Sequence, residues 1–306
     1  MLKFSLKILI TAAILTIIAR SIDLSTVLSV VKNMQPKYLI LALAMQLISA
    51  FLAAYRWYLI MRRLNFSEGA VFYLKSYLKG SFFNQALPGG IGGDAYRVLE
   101  CASLGSGKKA AFYGVLLDRI FGLVGLLLLN LLANIAYPNL LPTPIFIILN
   151  AIALGGITAV IIFALLGKID GLAKPKFTRH LHEISADMRR VYHDPKAIGL
   201  HSVISILIHL VSMLAIYFIG IGVGLNYSLL TFLVLVPPVI LLTIAPISLA
   251  GWGVREGGMI GLFLLIGADK NLVLSMSVLY GIVLLAASLP GLYLFLMSKQ
   301  KKSESR

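Results

Sequence analysis

Asn84-Gln85-Ala86-Leu87-Pro88-Gly89-Gly90-Ile91-Gly92-Gly93-Asp94-Ala95-Tyr96-Arg97 interrupts a chain otherwise dominated by apolar runs. A spanning helix avoids most of these residue types. Pro88 removes a backbone donor and clashes one turn back. The four glycines forfeit helix propensity and let the backbone turn or approach a ligand closely. If a helix restarts after them, Asp94 and Arg97 share its first turn. Broken backbone at membrane depth is tolerated only where protein buries it or where it lines a cavity. The stretch reads as the floor of a site.

A second stretch repeats the order. Pro246-Ile247-Ser248-Leu249-Ala250-Gly251-Trp252-Gly253-Val254-Arg255-Glu256 sets Gly251 and Arg255 at the distances from its proline that Gly93 and Arg97 keep from Pro88. The acid is displaced, preceding the arginine in the first copy and following it in the second. Both copies interrupt apolar runs.

These two stretches resemble the signature segments of the transmembrane region of lysylphosphatidylglycerol synthases, a flippase-like family. It includes the membrane half of the multiple peptide resistance factor. The resemblance extends over nearly the whole chain, with its specific part at Asn84–Arg97 and Pro246–Glu256. It implies a polytopic bacterial or archaeal membrane protein that moves or handles anionic lipids. No counterpart of the synthase's soluble aminoacyl-transfer domain is read here, so lysyl-lipid synthesis is not the expected activity.

Composition agrees with a membrane protein. Hydrophobic residues make up 59% of 306 and charged residues 13%, far from soluble averages. A net charge of +15 would suggest nucleic acid in a soluble chain, but here its distribution reads as topology and no nucleic-acid partner is expected. The single cysteine, Cys101, excludes an intramolecular disulfide and a cysteine-built metal site, and reads as an inert thiol. Gly90-Ile91-Gly92-Gly93 lacks the Walker lysine and follows no strand, so no nucleotide-driven step is expected of this chain alone. No cofactor or metal is expected.

The expected fold is all-α and polytopic. Spans are read at Met1–Ala19, Lys37–Tyr55, Ala110–Ala136, Ile145–Leu166, His201–Gly222 and Leu272–Met297. Ala19-Arg20-Ser21 is a poor cleavage site, which favours a retained first span. Val71–Phe83 is too short to cross, since a span needs roughly twenty residues. It reads as one arm of a re-entrant hairpin, and Leu229–Ala245, interrupted at Pro237-Pro238, as an arm of a second that returns over Val254–Ile266. Six spans with two hairpins, or eight full spans, both satisfy the pattern. Lys168–Lys196 reads as a cytoplasmic segment holding an amphipathic surface helix, with Phe177, Leu181, Ile184 and Met188 at helical spacing. Arg56-Trp57-Tyr58 reads as an interfacial cluster.

Basic residues set the orientation. Placing both termini, Arg56–Lys79, Lys108-Lys109 and Lys168–Lys196 inside assigns twenty of the 27 Lys/Arg to the cytoplasm. With six spans, 1–136 and 143–297 form the halves of an inverted-topology repeat within a single domain, a scheme common in transporters. The expected location is the cytoplasmic (inner) membrane.

The candidate site residues are Arg97, Arg255, Asp94, Glu256, Asp118, Arg119, Asn84, Gln85, Gly92, Gly93, Gly251 and Gly253. A guanidinium at membrane depth costs roughly 2.5 kcal/mol or more and needs a cavity or a partner. With backbone N–H groups of a restarted helix it makes a phosphate site. The opposing reading is structural: each arginine pairs with Asp94 or Glu256 and locks its hairpin. Asp118 and Arg119 point about 100° apart on a helix and need separate partners, Asp118 with Arg97 and Arg119 with Asp94 or Glu256. Asn84 and Gln85 suit either a head group or polar closure of the hairpin. His201 reads as interfacial, and His209 as an inter-helix hydrogen bond.

The function expected is translocation of an anionic phospholipid or polyprenyl-phosphate-linked lipid, without enzymatic chemistry. A membrane-embedded transferase using Asp94 or Glu256 as base, or a non-catalytic partner of a glycosyl- or aminoacyl-transferase, are the alternatives. A lipid-modifying transferase as partner and self-association into a homo-oligomer are compatible with these readings.

Overall fold

Apolar runs of this length satisfy their backbone groups away from water by closing the hydrogen bonds within a helix, and helix is the regular element among the described residues. The computed structural model describes residues 16, 24–86, 91–169, 176–245, 248 and 250–304. The first expected span, Met1–Ala19, lies almost wholly outside the described residues. The described helices are α1 (Leu24–Asn33), α2 (Pro36–Arg63), α3 (Ala70–Ala86), α4 (Gly92–Cys101), α5 (Lys108–Ala136), α6 (Thr143–Leu166), α7 (Lys176–Val191), α8 (Pro195–Val223), α9 (Leu229–Ile244), α10 (Val254–Leu264) and α11 (Lys270–Glu304).

Five of these, α2, α5, α6, α8 and α11, are long and apolar enough to cross a membrane. They match the second to sixth expected spans. The arms of the two broken segments are shorter. α3 has 17 residues, four more than expected, because Ala70 starts it and Asn84, Gln85 and Ala86 remain helical. At about 1.5 Å per residue α3 and α9 reach about 25 Å, against roughly 30 Å of hydrocarbon. α4 and α10 have 10 and 11 residues.

Packing has a regular plan. α2 lies along α8; α3 packs on α11 as α9 packs on α5; α4 bridges α3 and α5 as α10 bridges α9 and α11; α2 meets α3, α5 and α11 as α8 meets α9, α11 and α5. Exchanging α2–α5 for α8–α11 leaves that scheme unchanged. Small residues make the tightest crossings possible. A Cβ at Gly93 would collide with the Gly80 carbonyl, and one at Gly291 with the Leu78 carbonyl.

The expected interruption at Pro237-Pro238 is not a break. α9 runs through both prolines. They deprive the carbonyls of Leu233 and Val234 of their helical donors, and Asn130 Nδ2 of α5 donates to those two oxygens at 3.2 and 2.9 Å. A single side chain from the neighbouring helix thus mends the ladder.

α6 is peripheral, with Ala153 its sole buried residue. The surface segment does fold as a helix, but its apolar stripe turns onto the bundle. Ile184, Met188 and Val191 pack with Ile60, Leu117 and Phe121, while Leu181 stays exposed. Ser185 Oγ accepts from the Gly167 N–H at 2.7 Å and donates to the Phe163 and Ala164 carbonyls, closing the C-terminal end of α6. Lys109 of α5 pairs with Glu183, which also accepts from the Tyr113 hydroxyl at 2.9 Å.

Three side chains assigned to the membrane–water interface are interior. Trp57 has no exposed surface and His201 only 1%. Arg56 is 5% exposed, and it is buried because Asp118 and Ser205 replace the water it gives up. Lys79, counted with the cytoplasmic cations, is buried against Glu100.

Candidate functional site

The helices on either side of the first broken stretch, α3 and α4, pack together and approach closely at Gly80 and Gly93. Asn84 Oδ1 accepts from the Gly93 N–H at 2.8 Å, a polar tie between the two helices. That bond takes one of the N–H groups at the start of α4, so Gly93 does not offer it to a phosphate. Gly92 opens the helix earlier than expected, so Asp94 lies in its first turn and Arg97 one turn on, with Arg97 Nη2 to Asp94 Oδ1 at 2.6 Å.

Arg97 is held on every side. Its Nη1 donates to Asp118 Oδ2 at 2.9 Å, and its guanidinium lies 4.6 Å from the Trp57 ring centre and 5.2 Å from that of Tyr77. Arg56 takes the other side of Asp118, with Nε at 3.0 Å and Nη2 at 2.9 Å from Oδ1. Its Nη1 donates to Ser205 Oγ on α8 at 2.9 Å. Arg119 Nε donates to Asp94 Oδ2 at 2.7 Å. The expected pairings of Asp118 with Arg97 and of Arg119 with Asp94 both occur. Arg56, absent from the expected set, completes the chain Arg56–Asp118–Arg97–Asp94–Arg119.

The second stretch builds a parallel arrangement by other means. Arg255 donates Nη2 and Nε to Glu256 Oε1 at 2.7 and 3.1 Å. Glu256 Oε2 reaches back to the Gly253 N–H at 2.6 Å, capping α10. Gly251 and Gly253 adopt φ of +81° and +83°, a region that favours glycine. The guanidinium again covers a tryptophan, Trp252 at 4.7 Å. Ser277 Oγ of α11 donates to Glu256 Oε1 at 3.1 Å. The displaced acid has a reason here: Glu256 both caps the helix and neutralises Arg255, whereas Arg97 draws a second carboxylate from α5.

Two cavities adjoin these clusters. One, of about 350 Å³, is bounded by α2, α3, α5, α8 and α9, and Arg56, Arg97, Asp118, Arg119, Ser81 and His209 face it. The other, of about 200 Å³, is faced by Gln85, Thr243, Ser248, Gly251, Arg255 and Tyr280. Asn84, Arg119 and Ile240 line both. The fold therefore brings the two broken stretches, far apart in sequence, to one shared wall.

Access differs among the arginines. The side chains of Arg97 and Arg255 are each 4% exposed, while that of Arg119 is 49% exposed. Around the larger cavity the guanidiniums of Arg56, Arg97 and Arg119 face the carboxylates of Asp94 and Asp118, leaving one positive charge in excess. His209 Nε2 donates to the Gly122 carbonyl at 2.8 Å, the expected inter-helix bond.

The chain matches the family described as lysylphosphatidylglycerol synthase TM region over residues 4–291. It belongs to that family. Membership places it among membrane proteins of lipid-related function, as a lysylphosphatidylglycerol synthase TM region carrying both arginine clusters inside the matched span. No curated protein matches the chain.

Proposed function

We propose that this protein is a lipid translocase of the cytoplasmic membrane, passing an anionic phospholipid or polyprenyl-phosphate-linked lipid between leaflets. The observation that carries the reading is Arg119. It is a half-exposed guanidinium on the wall shared by two polar cavities, in a cluster with one positive charge in excess. Its planar fork suits a phosphate oxygen pair. Arg97 and Arg255 support it from behind by fixing each hairpin, and Arg97 belongs to the cluster that carries the excess positive charge.

The matched packing of α2–α5 and α8–α11 supports an inverted-topology repeat, with α3/α4 and α9/α10 as re-entrant hairpins meeting in mid-membrane. Both termini are then cytoplasmic. A transferase reading is weaker on chemistry. The oxygens of Asp94 and Glu256, its candidate bases, are already taken by guanidinium or backbone donors.

The test is a scrambling assay with the purified protein in liposomes containing a fluorescent anionic phospholipid. Wild type should equilibrate the label between leaflets, and Arg119→Gln should lose that activity while inserting normally. Label movement no faster than in protein-free liposomes would end the translocase reading.

A further inference from the structure

A third cavity, of about 440 Å³, lies on the other side of α9, between α5, α6, α9 and α10. It plays no part in the arginine clusters. Asn130 is the sole polar side chain among its lining residues, and both of its roles are taken. Its amide donates to the Leu233 and Val234 carbonyls, and its Oδ1 accepts from Asn134 Nδ2 at 3.3 Å. The cavity thus offers no bond to water, and a space so lined stays dry. Its rim is open, since Ile152 and Leu242 are both more than half exposed.

The groove adjoins the charged cavity through two shared helices. On α5, Leu126 faces the charged cavity and Leu127 the groove; on α9, Ile240 faces the first and Leu241 the second. Polar and apolar spaces therefore meet along one seam, the α5–α9 contact. That is the order of chemistry along a phospholipid, an anionic head joined to a hydrocarbon chain. We propose that the groove holds an acyl chain of the same lipid whose head group Arg119 contacts, with the lipid's polar–apolar junction at the α5–α9 seam. This rests on the translocase site proposed above and makes the substrate a chain-bearing lipid rather than a free phosphorylated head group.

Gly261 lines the groove, and a Cβ there meets nothing within 4 Å. Gly257, one turn earlier on α10, is equally open but lies outside the groove. Leucine at either position also raises helix propensity. The experiment titrates the intact detergent-purified protein with two fluorescent anionic phospholipids of one head group, one long-chain and one short-chain and water-soluble. Gly261→Leu should weaken long-chain binding by about tenfold and leave short-chain binding unchanged. Gly257→Leu should change neither. Ile152→Trp, which intrudes from the opposite wall on α6, should reproduce the Gly261→Leu result. Equal loss of both lipids, no loss of either, or long-chain binding that never saturates (bulk lipid only) would overturn the proposal. Arg119→Gln separates the two ideas: it should weaken both lipids, and its failure to do so speaks against the head-group site and not against the groove.

Discussion

Arg119 of α5 and Asp94 of α4 meet through a 2.7 Å hydrogen bond across a separation of 25 residues, and Asp94 simultaneously holds Arg97. One carboxylate therefore serves two guanidiniums, one buried and one half exposed. An anionic head group approaching Arg119 competes with Asp94 for it. Asp94→Asn should then tighten binding of a fluorescent anionic phospholipid by about fivefold, equivalent to roughly 1 kcal/mol for a half-exposed pair. Titration of the purified variant gives the answer, and weaker binding would mean that Asp94 assists the head group instead of opposing it.

Asp118 carries the buried part of the network. Arg56 and Arg97 both depend on it, and all three side chains are nearly inaccessible. Asp118→Asn strips buried Arg56 of its carboxylate partner and leaves Arg97 with Asp94 alone, and should cost about 3–5 kcal/mol. Arg97→Gln should cost less, because Asp118 keeps Arg56 and Asp94 keeps Arg119. Thermal unfolding in detergent ranks the two variants, and the reverse order would contradict this account of the network.

Asn130 replaces what Pro237 and Pro238 remove. Asn130→Leu leaves two buried carbonyls without donors, at about 1–3 kcal/mol. Pro238→Ala returns an N–H to the Val234 carbonyl. The Asn130→Leu penalty should therefore be smaller in a Pro238→Ala background than in wild type. A double-mutant cycle on unfolding midpoints measures this, and strictly additive effects would show that the asparagine acts elsewhere.

The sequence made the helices and the arginine sites legible because each has a local signal. Long apolar runs announced α2, α5, α6, α8 and α11, and the Pro/Gly/Arg order announced the two broken stretches. Pairing partners four residues or fewer apart, such as Asp94–Arg97 and Arg255–Glu256, could be read from spacing. Arg56 was not legible, because an arginine near a helix end beside Trp57 and Tyr58 matches an interfacial anchor. Only tertiary packing sets Asp118 and Ser205 around it. Asn130 carries a local signal of its own: a lone amide within Leu123–Leu132, in a chain that also holds a helix with tandem prolines. The two cavities and the groove had no local signature, since each forms from helices distant in sequence.

The surface helix α7 should report on acid. Lys109, then the Tyr113 hydroxyl and Arg179, hold the Glu183 carboxyl down at about 2, below its ordinary value of 4.5. A depressed carboxylate stabilises the fold above its unfolded pKa, and that contribution is lost as pH falls through the folded value. Docking of α7 on α5 should hold at pH 5 and weaken from about pH 4.5 toward 2. Hydrogen exchange over α7 follows this, and Glu183→Gln should flatten the dependence. A pH dependence that survives Glu183→Gln would assign it to another group.

The re-entrant hairpins are open to a direct topological test. In a Cys101→Ala background, single cysteines at Ser67 and Gly69 flank the start of α3, Ser103 follows α4, and Lys270 follows α10. Cys101 is fully buried, so its removal leaves the surface chemistry unaltered. If the α3/α4 hairpin turns back within the membrane, Ser67, Gly69 and Ser103 lie on one side. The cytoplasmic count of basic residues makes that side the inside. Lys270 then lies outside. A membrane-impermeant thiol reagent applied to intact cells should label only the Lys270→Cys variant, and applied to inverted vesicles it should label the other three. α3 and α4 together are long enough to matter here, because α3 alone approaches the hydrocarbon thickness and a full crossing needs little more. Labelling of Ser103→Cys from outside, with Gly69→Cys labelled from inside, would require that crossing. Eight spans would then replace six, and the arginine clusters would sit at the ends of full helices instead of at the tips of hairpins.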